Sequence, residues 1–191
     1  MNVYLIRHGM TEPAKKHLYY ADTDVPLNEE GKRQLLEFTR EGAYPSPEGR
    51  ALYTSGMLRA EQTFRLIYGS RPHLIAPDLT EQHLGEYEMR SHEELKELPP
   101  YQAFLACTNG SARFPGGESS NEWSERVWRA FEPLLAERRD VILVAHGGVI
   151  GYIMNRCFPK VERHFYLWIP QPGRGYCATR LNGVFTCYER I

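Results

Sequence analysis

The sequence predicts an α/β fold built on a largely parallel sheet. Val3-Tyr4-Leu5-Ile6 and Val141-Ile142-Leu143-Val144-Ala145 are unbroken apolar or aromatic runs, the pattern of strands buried on both faces. Between and beyond them, segments with apolar residues at helical spacing alternate with short strand-like runs. The two long runs also end alike, the first in Arg7-His8-Gly9 and the second in His146-Gly147-Gly148. In open α/β sheets, ligands bind beyond the carboxyl ends of the strands. Either histidine alone reads as a turn or surface residue; two of them, with an arginine beside the first, point to a site.

The elements follow in order. After the first strand, a loop rich in Lys, His, Tyr and Asp extends to Asp24, long for a compact domain. Asn28 is placed to cap a helix, with Glu29 and Glu30 in its first turn and Leu35 and Phe38 on its apolar face. Pro45 and Pro47 stop it. Ala51–Thr54 is a second strand, leading through Ser55-Gly56 to a helix over residues 57–68. Ala60, Phe64 and Ile67 form the core stripe of that helix, and Arg59 lies in its first turn. Residues 73–76 read as a third strand. The polar stretch 79–90, with Glu81, His83, Glu86 and Glu88, is expected to cross the carboxyl edge of the sheet.

Short helices are expected over 91–97 and 101–107, then a loop over 109–120. A long helix over 122–138 buries Trp123, Val127, Trp128, Phe131 and Leu135, with a kink or break at Pro133. The helix after His146, Gly147–Cys157, turns Ile150, Ile153 and Met154 inward. Residues 165–191 read as two or three strands, with a hairpin at Asn182-Gly183.

Composition sets the bounds. A chain of 191 residues fits a single domain over 1–191, with a small insertion at about 88–117 near the mouth of the site. A net charge of −1 gives no basic field for nucleic acid. No apolar run reaches membrane-spanning length, and a strand at the N-terminus leaves no signal-peptide pattern. Cys107, Cys157, Cys177 and Cys187 are scattered and read as buried or partly buried thiols of a reducing, cytoplasmic setting.

The polar residues gathered at the carboxyl edge are Arg7, His8, Thr11, Arg59, Glu81 and His146. Arginines match phosphate oxygens in a bidentate manner, and the Gly147 and Gly148 N–H groups open a helix that could bind an anion. A neutral imidazole is a nucleophile when its other nitrogen is held, and a nearby carboxylic acid can protonate a leaving oxygen. The set spells phosphoryl transfer through a phosphohistidine. No acidic cluster suits Mg²⁺, no glycine-rich phosphate loop is present and the seven histidines lack zinc-ligand spacing. No metal and no cofactor are therefore expected.

Arg7-His8-Gly9-Met10-Thr11 resembles the R-H-G-x-T/S signature of the histidine phosphatase superfamily, the phosphoglycerate mutase-like proteins. Further stretches match in order: Asp24-Val25-Pro26-Leu27 with Gly31 and Gln34, Ser55 through Thr63 with Arg59, Leu79-Thr80-Glu81 with Leu84 to Glu88, the Phe114 to Ser119 loop, and Val144-Ala145-His146-Gly147-Gly148. The resemblance implies a three-layer α/β/α sandwich with helices on both faces of a mostly parallel sheet. It implies that His8 is the phosphorylated nucleophile and that Arg7, Arg59 and His146 hold the phosphoryl oxygens. Glu81 would be general acid and then base, and Thr11 and the Gly147 N–H secondary phosphate contacts.

The sequence departs from the family at Ala14, where Asn is frequent, at Tyr87 for Trp, at Met89 for Gly and at Gly151 for Arg. The length points to the shorter phosphatases, alpha-ribazole or broad-specificity phosphatases among them. The expectation is a metal-independent phosphomonoesterase acting on a small phosphorylated metabolite, monomeric or homodimeric. A phosphoglycerate mutase-type transferase and a non-catalytic phosphate-binding module are the alternatives. Lys15, Lys16, His17, Tyr19, Tyr20, His83, Arg90 and Arg113 are candidates for recognising the rest of the substrate, though most such residues are ordinary surface groups.

Overall fold

A computed structural model describes residues 1–161 and 164–191. Its strands are β1 Asn2–Arg7, β2 Ala51–Thr54, β3 Leu74–Ile75, β4 Val141–Ala145, β5 Gly175–Leu181 and β6 Val184–Arg190. Its helices are α1 Glu12–Lys15, α2 Glu29–Arg40, α3 Leu58–Tyr68, α4 His92–Leu95, α5 Pro99–Ala106, α6 Ser120–Phe131 and α7 Gly147–Cys157. The strands form one mixed sheet in the order β3-β2-β4-β1-β5-β6. β3, β2, β4 and β1 run parallel, and β5 and β6 close one side as an antiparallel hairpin.

β4 lies inside the sheet and is buried along its whole length, which is why its sequence is uniformly apolar. Its side chains alternate between two cores. Val141, Leu143 and Ala145 pack with Val127 and Phe131 of α6 and Val149, Ile150 and Ile153 of α7. Ile142 and Val144 pack with Ala60, Phe64 and Tyr68 of α3 on the opposite face. Helices therefore cover both faces of the sheet.

Several elements differ from the sequence reading, each for a local reason. The first loop contains α1, capped by the Thr11 hydroxyl and opened by Pro13, which needs no N–H in the first turn. The long helix starts at Ser120, because Ser119 and Glu122 form a reciprocal capping box. It loses α geometry before Pro133, which supplies no N–H, and continues as a 3₁₀ turn over Glu132–Ala136. α5 begins two residues early, at Pro99, again because Pro suits the first turn. The third strand is only two residues long and exposed at the sheet edge. Two strands, not three, follow residue 165, and Asn182 and Gly183 both take the positive φ that a two-residue hairpin turn demands.

The segment 88–117 carries α4 and α5 and is tied to the body by a separate apolar cluster of Ala21, Leu84, Tyr87, Leu95, Tyr101 and Phe114. Cys187 is exposed, whereas Cys107, Cys157 and Cys177 are partly buried and all four are free thiols. No helix among the described residues is long and apolar enough to cross a membrane.

Candidate active site

Strand register brings the two histidines together. β1 and β4 pair with Arg7 opposite Ala145, so the next residues, His8 and His146, leave the sheet side by side. The His8 amide continues the ladder by donating to Ala145 O at 2.9 Å. The two rings are buried, with centroids 5.3 Å apart.

The neighbours of each ring set its tautomer. His8 Nδ1 lies 2.7 Å from the Gly9 carbonyl oxygen. A carbonyl only accepts, so Nδ1 carries the proton and Nε2 keeps its lone pair. Gly9 is held in turn: its N–H donates to Thr63 Oγ1 at 3.0 Å, and that hydroxyl donates to Arg59 O at 2.7 Å. His146 is the reverse case. Arg59 Nε donates to its Nδ1 at 3.3 Å, leaving Nε2 to donate to Ser55 Oγ at 2.8 Å. Burial, reinforced by Arg59 and Arg7, holds both imidazoles well below their usual pKa, so both are neutral near pH 7.

Arg59 is fully buried in the first turn of α3. Its Nη1 and Nη2 donate to the carbonyls of Thr23 (3.1 Å) and Ala21 (2.9 Å), and the face of Tyr20 covers its guanidinium at 5.0 Å. Carbonyl dipoles and a π face thus balance a cation that the helix dipole disfavours at this end. Glu88 fixes that carbonyl pair by accepting the amides of Ala21 (2.8 Å) and Thr23 (2.9 Å) on Oε1. Arg7 Nη1 donates to Pro170 O at 2.8 Å, while its buried Nε has no partner among the described residues.

Glu81 enters from the stretch that follows β3 and crosses the carboxyl edge. Its Oε1 accepts the Gly148 amide at 2.8 Å. The first turn of α7 therefore spends this N–H on the carboxyl group, whereas the sequence reading left it for an anion. A Cβ at position 148 would meet Glu81 Oε2, so a larger residue there would push the carboxyl group from its place. Burial raises the Glu81 pKa, opposed by the Gly148 amide, Arg7, Arg59 and Arg126. Arg126 of α6 braces the backbone, donating to Glu81 O (2.9 Å), Asp78 O (2.7 Å) and, through two nitrogens, to the Glu118 carboxylate at 2.8 Å each.

A cavity of about 390 Å³ opens above these groups. Arg7, His8, Arg59, Glu81, Gly147 and Gly148 line its polar end, and Tyr101, Phe104, Phe114, Trp123, Phe165 and Tyr166 line much of the rest. Thr11 is not among the lining residues. Its Oγ1 caps α1 by accepting the Ala14 amide at 3.3 Å and donates to the Tyr20 hydroxyl at 2.7 Å. Tyr20 lines the cavity in its place. Of the other recognition candidates, Tyr19 lines the cavity; Lys15, Lys16, His17, His83, Arg90 and Arg113 do not. Lys15 and Lys16 pair with Glu30 and Glu12 on the outside, Arg113 with Glu122, and His83 with Asp22.

Sequence reasoning did not single out Ser55, Glu88 or Arg126 for the site. Ser55 had a usable signal, since it ends β2 beside β4 just as His146 ends β4. Glu88 lay within the Leu84 to Glu88 match but without a role, since its partners are the amides of Ala21 and Thr23, and Arg126 had no signal, since it meets Glu118 and the carbonyls of Asp78 and Glu81 only in the folded chain. Among the described residues, no group of three or more His, Cys, Asp or Glu is arranged to hold a metal ion.

The chain is similar to proteins that share this arrangement of sheet and helices. It is 31% identical over 163 residues to the adenosylcobalamin/alpha-ribazole phosphatase of Salmonella typhimurium, covering 82% of this chain and 79% of that one. It is 32% identical over 162 residues to a metal-independent phosphoserine phosphatase of Arabidopsis thaliana, covering 81% and 67%. The crystal structure of the alpha-ribazole phosphatase from Shigella flexneri superposes with a TM-score of 0.85 at 26% identity, covering 97% and 94%. A phosphoglycerate mutase structure from Thermus thermophilus matches with a TM-score of 0.74 at 28% identity, covering 98% of each chain, so length does not separate the two activities. The sequence pattern of the histidine phosphatase superfamily (branch 1) matches residues 3–182, and the chain belongs to that superfamily and is a phosphatase of its kind.

Proposed function

We propose that the protein is a metal-independent phosphomonoesterase that works through a phosphohistidine on His8. The single observation that carries the reading is the fixed His8 tautomer, with a protonated Nδ1 on Gly9 O and a free Nε2, next to a second neutral imidazole. In the first step Nε2 attacks phosphorus while the ester P–O bond breaks. Glu81, whose pKa burial raises, gives its proton to the leaving oxygen. In the second step the Glu81 carboxylate takes a proton from water as that water attacks phosphorus, the N–P bond breaks, and phosphate leaves with Glu81 reprotonated.

Arg7 and Arg59 line the cavity and supply the charge and hydrogen bonds that phosphoryl transfer needs, while His146, which does not line it and whose two ring nitrogens are taken by Arg59 and Ser55, acts by holding Arg59. The orphaned Arg7 Nε is a buried donor that a phosphoryl oxygen would satisfy. The aromatic wall favours a phosphate ester with a flat, apolar portion over phosphoserine or phosphoglycerate.

The test is hydrolysis of an aryl phosphate in EDTA, with quenching in alkaline detergent to trap a phosphoenzyme that is stable to alkali and labile to acid. His8→Ala is expected to lower turnover by roughly 10³-fold or more and to remove the trapped phosphate, with an unchanged melting transition. Retained turnover in His8→Ala, or a phosphoenzyme labelled elsewhere, overturns the reading.

A further inference from the structure

We propose that the Tyr20 hydroxyl is a further phosphate-binding group, donating its proton to an oxygen of the phosphoryl group at the cationic end of the cavity. The inference rests on the phosphatase reading and adds a residue to it.

Three features of the geometry carry it. First, Tyr20 is placed at the right end. It lines the cavity, its ring faces the Arg59 guanidinium at 5.0 Å, and it meets the His8 ring edge-on with centroids 6.4 Å apart. Second, the direction of its hydrogen bond is set by the chain. The Ala14 amide donates to Thr11 Oγ1, and Thr11 Oγ1 in turn lies 2.7 Å from the Tyr20 oxygen and donates to it. A phenol has one proton of its own, and with its oxygen already accepting from Thr11 that proton is left to donate. No acceptor for it is found among the described residues, and the cavity lies open beside it. Third, burial raises the Tyr20 pKa, which keeps the phenol protonated and a donor despite the arginines nearby.

The arrangement also explains how Thr11 contributes without lining the cavity: it polarises and aims the phenol. Aromatic packing on Arg59 alone would require a ring but no hydroxyl.

Tyr20→Phe separates the two roles, because it keeps the ring and removes only the O–H. Inorganic phosphate and orthovanadate are the probes, with binding measured by calorimetry and by inhibition of aryl phosphate hydrolysis. The expected result is roughly 10-fold weaker binding of both anions, the size of one lost charge-assisted hydrogen bond. The melting temperature without anion should be unchanged. The fall in kcat/KM should be the same for esters with good and poor leaving groups. Thr11→Ser in the Tyr20→Phe background should add little to the loss of anion affinity, since it keeps the cap on α1 and its hydroxyl reaches the anion only through the phenol.

Wild-type anion affinity in Tyr20→Phe overturns the proposal, as does a loss confined to one class of leaving group. These binding outcomes stand apart from the phosphohistidine test: a chain that binds phosphate through Tyr20 but forms no phosphoenzyme would refute the phosphatase reading and leave the Tyr20 assignment intact.

Discussion

His8 and Glu81 have opposite protonation requirements, and burial serves both. An imidazole taken out of water beside two arginines loses its proton readily, so His8 stays a free base well below pH 6.5. A carboxyl group taken out of water keeps its proton, so Glu81 remains an acid above its ordinary range. The sign of the pH dependence follows. kcat/KM should fall as pH rises through the raised Glu81 pKa, and fall on the acid side only below the lowered His8 pKa. A pH–rate profile that is flat from pH 5 to 7 and beyond would contradict the acid role. Glu81→Gln should remove the upper limb and lower kcat/KM, which reports the transfer to His8, by roughly 10²–10⁴-fold for esters of poor leaving groups, while kcat/KM for activated aryl esters falls much less. Equal losses for both kinds of ester would mean that Glu81 gives no proton to the leaving group.

At the scale of elements, turns and caps decide where side chains arrive. After delivering Glu81, the stretch that follows β3 leaves the site through the 3₁₀ turn Gly85–Tyr87, and Met89 just beyond it adopts φ +60°, a left-handed conformation that favours glycine. The superfamily resemblance places glycine there, and this chain carries Met with its side chain substantially exposed. Met89→Gly is therefore expected to stabilise the fold by about 1 kcal/mol, read as a higher urea midpoint with unchanged slope. A lower midpoint would mean that Met89 packing outweighs its backbone strain. The same logic separates what was legible in these elements from what was not. Asn28 caps α2 as its sequence indicates, while the start of α6 at Ser120 was equally encoded in the Ser119-x-x-Glu122 box but masked by the glycine-rich residues before it.

On the scale of the whole molecule, the site depends on segments far apart in sequence clasping one another. Arg59 of α3 is held by carbonyls of residues 21 and 23, whose amides are held by Glu88. Glu88→Ala leaves both amides without that acceptor and should cost roughly 2–4 kcal/mol of stability, along with weaker phosphate binding through a loosened Arg59. Glu88→Gln keeps an acceptor oxygen and should recover most of both. If Glu88→Ala melts normally and binds phosphate normally, the clasp does not position Arg59.

The sequence by itself determined the α/β class, the buried strands and the polar residues delivered at their ends, because burial periodicity and strand termination are local properties of the chain. It also carried the family signature around His8, Arg59, Glu81 and His146. The tertiary structure decided which nitrogen of each imidazole is free, which amide Glu81 occupies, and that Tyr20 lines the cavity while the lysines point away. The His8 tautomer is set by its neighbour Gly9, but Gly9 is held in turn by Thr63; the other outcomes depend on hydrogen bonds between segments brought together by sheet register, and a partner tens of positions away leaves no mark in the spacing of either residue.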